Sequence, residues 1–119
     1  MPKLFSDVLV LEDKSVLIIG DSHCPYQNTS LLQKAFSIAK KRKISTLIHA
    51  GDLIDGAEYN SQAKNENHYD IATEIMHAQS ILYSATEYFS KIICIPGNHD
   101  LYYVKKEKIS FEDFIKIHV

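Results

Sequence analysis

A chain of 119 residues, 45% apolar and 24% charged, suits one modest globular domain and no more. Its formal net charge of −2 gives no overall basic character, which argues against nucleic-acid binding driven by charge. Two cysteines, Cys24 and Cys94, are too few for a disulfide framework, and no apolar stretch is long enough to cross a bilayer.

The N-terminal "MPKLFSDVLVLEDKS" sets Asp7, Glu12 and Asp13 around a very short apolar run, unlike a secretory signal. The expected location is therefore the cytoplasm, with both thiols reduced. Val8–Leu11 and Val16–Ile19 are aliphatic runs that read as a hairpin or as two successive strands. The second run ends at Gly20 and a polar loop, "DSHCPYQNTS", in which Pro25 disfavours helical geometry at Cys24.

A helix is expected from about Asn28 or Ser30, where Ser30 and Gln33 have capping-box spacing. Leu32, Ala35, Phe36 and Ala39 form its apolar stripe. It ends in "KKRK", Lys40 to Lys43, where cations suit the negative end of the macrodipole and solvent.

Thr46–Ala50 reads as a buried strand running into "GDLIDG", and residues 57–69 as a long polar loop. Ile71, Ile75, Ala78, Leu82, Ala85 and Phe89 repeat at steps of four and three, predicting a helix from Asp70 to about Ser90. A last strand spans Ile92–Ile95, and the segment 101–119 fits either a short helix or a further strand. The order β-α-β-α-β with doubly buried strands predicts an α/β fold built on a parallel sheet.

Each strand ends in a polar cluster: "GDSH" (Gly20 to His23), "GDLID" (Gly51 to Asp55) and "GNHD" (Gly97 to Asp100). In an open parallel sheet all strand C-termini lie along one edge, about 4.8 Å apart, so these clusters can converge. Carboxylate, imidazole and amide carbonyl together suit divalent ions such as Mn²⁺, Fe²⁺ or Zn²⁺ better than a thiolate site would. A carboxylate from the middle cluster could bridge two ions roughly 3.5–4 Å apart.

The three blocks, Asp21-x-His23, Gly51-Asp52-x-x-Asp55 and Gly97-Asn98-His99-Asp100, resemble in order and context the calcineurin-like metallophosphoesterases. The resemblance implies hydrolysis of a phosphate mono- or diester by a hydroxide activated at a dinuclear metal centre. It makes Asp21 and His23 ligands of the first metal, Asp52 the bridge and Asn98 a ligand of the second. His99 would stand beside the scissile phosphate with Asp100 orienting its ring, and Asp55 would support the site without ligating. Two divalent ions are implied, with Mn²⁺ the first candidate and Fe²⁺, Zn²⁺ or Ni²⁺ as alternatives.

The family also carries a later histidine and a G-H-x-H pair, which this sequence lacks. Residues 1–119 are therefore expected to form the N-terminal half of the catalytic domain, one sheet of an αββα sandwich. The rival expectation is a catalytically incomplete half-domain that binds metal or associates with a partner, as a homodimer or with a complementing C-terminal half. A scaffold derived from the family is the third, less favoured because the first-half motif residues are all present.

"GDLIDGA" lacks the Arg of the protein-phosphatase motif, leaving nucleic acid, nucleotide or small phosphodiester as substrate classes. Among the remaining histidines, His49 reads as a packed core residue and His68 and His77 as solvated. His118 reads as lying outside the metal centre. Tyr26 and Tyr59 follow the first two clusters, either lining a pocket or packing their loops.

Overall fold

The computed structural model describes residues 11–56 and 70–113. Its element order is β1 (Leu17–Ile19), α1 (Thr29–Lys41), β2 (Thr46–His49), α2 (Ile71–Ala85), β3 (Lys91–Cys94) and α3 (Asn98–Glu107). The strands form a parallel sheet in the order β1-β2-β3, with Ile18 opposite Ile48 and Ile48 opposite Ile93. This is the expected α/β architecture. The run at residues 8–10 and the loop 57–69 lie outside the described residues.

Alternation along the strands decides which face is buried. Leu17, Ile19, Leu47 and Ile92 pack against Phe36 and Ala39 of α1 and Ala85 of α2, with Phe89 completing the cluster. A second cluster joins Ala78, Ile81 and Leu82 of α2 to Tyr103 and Val104 of α3 and to Cys24, Leu53 and Ile54 of the strand-end loops. Burying an aliphatic side chain of this size contributes about 1.5–3 kcal/mol, so the loops carrying the polar clusters are anchored by their own apolar residues. The intervening row, Ile18, Ile48 and Ile93, lies on the other face, where Ile18 is 61% exposed.

One helix boundary falls on the first of its two expected starts, and another differs from expectation. The cap of α1 is Asn28, whose side chain accepts the Leu31 N–H at 3.0 Å, so Ser30 lies inside the helix and not at its cap. Asn is as good an N-cap as Ser, and its position here places Leu32 and Phe36 inward. The boundary that differs is in α2, which starts after its Asp70 cap as predicted but ends at Ala85 and not near Ser90. Turn bonds from Tyr88 and Phe89 to the Ala85 carbonyl then fold the chain so that Phe89 still reaches the core.

Of the segment 101–119, which fitted either helix or strand, residues 101–107 are helical and belong to a helix that begins earlier, while residues 114–119 lie outside the described residues. Asn98, His99 and Asp100 form the first turn of α3, with Gly97 as N-cap. Lys105 and Lys106 occupy its last turn, complementing the macrodipole.

Candidate metal centre

The strand-end loops continue the pairing of the sheet. Asp21 N–H donates to the Gly51 carbonyl, His23 N–H to Asp52 and Cys24 N–H to Leu53, each at 2.9 Å. The first two clusters therefore run side by side. The third arrives through α3, whose first turn meets the second loop: His99 N–H donates to Asp52 Oδ1 at 2.9 Å. A carboxylate at a helix N-terminus is favourably placed, since the unpaired N–H groups there carry partial positive charge.

Within this frame His23, Asp52 and His99 present ligand atoms that all lie within 4.8 Å of one another. The His23 and His99 rings meet edge to face with centroids 4.6 Å apart. His23 Nε2 stands 3.8 Å from Asp21 Oδ1 and 3.8 Å from Asp52 Oδ2. Asp21 is exposed and joins the group from its rim, while Asn98 is exposed at the first position of α3.

Asp55 serves both rings. Its carboxylate accepts the His23 Nδ1–H at 3.1 Å, and its backbone carbonyl accepts the His99 Nδ1–H at 2.6 Å. A carbonyl can only accept, so the His99 proton sits on Nδ1 and Nε2 is left for chemistry. His23 thus turns Nε2 toward Asp21 and Asp52, and His99 keeps Nε2 outside its bond to Asp55. A partner on the other ring nitrogen is the usual way a metal-binding imidazole is oriented.

Asp100 was expected to orient the His99 ring, and the structure puts it to different use. It is fully buried and accepts the N–H groups of Leu53 at 3.2 Å, Ile54 at 3.0 Å and Gly97 at 3.0 Å. Burial raises its carboxyl above the usual carboxylate range, against the lowering effect of those three backbone donors. Its contacts tie the second loop to the start of α3; the ring contact comes from Asp55.

Three further residues join the site that the sequence did not single out for it. His49 is buried, as the apolar run suggested, but its ring is hydrogen-bonded to Ser22 Oγ at 3.0 Å and to the Gly51 N–H at 3.3 Å. Glu74 of α2 is 1% exposed and accepts the Gly56 N–H at 2.6 Å, holding the end of the second loop. Its sequence signal was its place on the apolar stripe, between Ile71 and Ile75, where a carboxylate needs a buried partner. The Ser22–His49 pairing had no such signal, because nothing local links residues so far apart in sequence.

The thiols stay out of the chemistry. Burial pushes Cys24 up to about 12 and Cys94 up to about 11, so neither offers a thiolate near neutral pH. His77 is half-buried and bonded through Nδ1 to the Gln27 amide at 2.9 Å, which corrects its reading as solvated. Tyr26 is 55% exposed, and Lys40 to Lys43 are exposed at the end of α1. His68, His118 and Tyr59 lie outside the described residues. Among the described residues, no helix is long and apolar enough to cross a membrane.

The donor set, the His23 imidazole with its oriented Nε2 and the carboxylates of Asp21 and Asp52, with the His99 ring beside them, fits a divalent cation of the borderline or hard kind. No curated protein and no solved structure matches the chain. A family model described as calcineurin-like phosphoesterase matches residues 14–118, and that family's reaction is metal-dependent hydrolysis of phosphoesters. With its three strand-end blocks gathered at one edge of a parallel sheet, the chain belongs to the calcineurin-like phosphoesterase family.

Proposed function

We propose that the chain hydrolyses phosphate mono- or diesters with two divalent ions held at the ends of β1, β2 and β3. Mn²⁺ is the first ion to test. The observation that best supports this is the His23 ring, tied at Nδ1 by Asp55 and facing Asp21 and Asp52 through Nε2, 3.8 Å from each. Two ligand atoms that each stand about 2.1 Å from an ion are at most about 4.2 Å apart, so this spacing suits a shared cation.

Asp21 and His23 hold the first ion. Asp52 is shared between the two, and Asn98 reaches the second from the start of α3. Bound divalent ions supply Lewis acidity, lowering the pKa of water and offsetting charge on the phosphate oxygens. His99 carries the proton chemistry as an imidazolium: its Nδ1–H stays committed to the Asp55 carbonyl, and its Nε2–H is the proton given to the departing oxygen, leaving the neutral ring. Asp100 acts at one remove, keeping Leu53, Ile54 and Gly97 in place so that Asp52 and His99 meet.

The test is cleavage of an aryl phosphodiester with Mn²⁺, lost on chelation and abolished by Asp52→Asn. Full turnover in that variant overturns the role given to Asp52.

A second reading is association with another copy of the chain through the open sheet face. The row of Ile18, Ile48 and Ile93, together with Ile95 at 49% exposure, favours it. Sedimentation of a monodisperse monomer at high concentration counts against that reading.

A further inference from the structure

We propose that His49 is a positioning residue, clasping the two ligand-bearing loops from beneath the candidate metal centre. This rests on the metal-site reading above, and it begins from backbone strain. Asp21, His23 and Asp52 have φ values of 52, 45 and 55, in the left-handed region that residues with a Cβ disfavour. Three such residues persist in one site only if their surroundings over-determine them.

The surroundings are a chain of hydrogen bonds centred on the His49 ring, which is 1% exposed. The Gly51 N–H donates to Nδ1 at 3.3 Å, so the ring proton of the neutral imidazole sits on Nε2. Nε2–H donates to Ser22 Oγ at 3.0 Å, and the Ser22 hydroxyl passes its own proton to the Leu53 carbonyl at 3.0 Å. The ring therefore bonds the residue just before Asp52 and the residue between Asp21 and His23. Ser22 is drawn inward, and the left-handed residues on either side of it are turned out toward the cleft. Every donor and acceptor in the chain is used, which is the condition for a buried polar network to rigidify what it joins.

A histidine that merely filled space could be replaced by phenylalanine, of similar shape, without altering the loops. A clasp could not. Amide hydrogen exchange, which needs no metal, and Mn²⁺ binding by calorimetry separate the two on the full chain. In His49→Phe the His23 and Cys24 amides are expected to exchange at least about tenfold faster relative to the amides of α2, and Mn²⁺ affinity to fall about tenfold or more. His49→Gln, which returns an N–H toward Ser22, is expected to recover part of both losses. Ser22→Ala removes a single oxygen and serves where His49→Phe does not fold; the same two changes are expected.

A folded His49→Phe with unchanged exchange and unchanged Mn²⁺ affinity overturns the clasp, as does a loss of protection spread evenly over the whole chain. If the parent chain itself binds no Mn²⁺, the metal reading falls. The exchange of His23 and Cys24 then decides the clasp by itself.

Discussion

The Asp52 carboxylate rests on the first turn of α3, where its Oδ1 accepts the backbone N–H of His99 at 2.9 Å. One hydrogen bond thus joins the second strand end to the third. It needs close backbone approach: a Cβ on Gly51, at φ 121, would stand 3.0 Å from the Gly97 Cα. A Cβ on Gly97 would run into the Asp52 carboxylate and backbone nitrogen.

Gly97→Ala is therefore expected to push α3 away from the second loop, costing about 2 kcal/mol of stability and most of the Mn²⁺ affinity. Gly20→Ala is the control, because its Cβ would meet only ordinary contacts, the nearest being Ala50 Cβ at 3.7 Å. Chemical denaturation and titration calorimetry on both variants check this. Equal behaviour of the two would show that the close approach is not needed.

Asp55 bonds His23 with its side chain at 3.1 Å and His99 with its main chain at 2.6 Å, its Oδ1 lying 3.9 Å from the His99 Nδ1, so a side-chain substitution acts first on His23. Asp55→Ala is expected to weaken metal binding about 10- to 100-fold, because the His23 ring loses its orienting partner. The Nδ1 environment of His99, read by nitrogen chemical shifts, is expected to change less than that of His23, since its 2.6 Å bond to the Asp55 carbonyl remains and only a carboxylate 3.9 Å away is lost.

Asp100 predicts a stability effect more than a catalytic one. In Asp100→Asn an NH₂ group replaces one carboxylate oxygen, leaving at least one buried backbone N–H without an acceptor. The expected loss is about 2 kcal/mol, or roughly 10 °C in melting temperature for a domain of this size. Turnover measured well below the new transition should change far less than in His99→Asn, where the proton-bearing group itself is removed.

Stability should fall as pH drops from about 6.5 towards 4. Burial depresses His49 to about 4 from an ordinary value of 6.5, against the opposing pull of Asp21 and Asp52. Between those values the unfolded chain binds a proton that the folded chain does not, so acid favours unfolding by up to roughly 3 kcal/mol. Asp100 acts in the opposite sense, since its raised carboxyl takes up a proton more readily folded than unfolded. Urea denaturation across this range checks the sign, and His49→Gln should flatten the slope.

Sequence alone determined the alternation of strand and helix, because the strands are short aliphatic runs and α2 has an unbroken apolar stripe. It also marked the three polar clusters, since Asp, His and Asn after glycine at strand ends have a chemistry visible in one dimension. Helix α3 was harder to read: it buries only Asp100, Tyr103 and Val104, too few positions to make a periodic signal. Its local sign, a glycine cap with an acid three residues on, sits inside the cluster that reads as a strand end.

Only the tertiary structure decided who holds whom. That Asp55 and not Asp100 contacts the His99 ring follows from how the second loop turns against α3, which no spacing within either segment encodes. That His49 reaches Ser22 depends on two parallel strands being in register, with Ile19 opposite His49. Ligand identity is a property of residues, whereas ligand orientation is a property of hydrogen bonds between segments far apart in the chain.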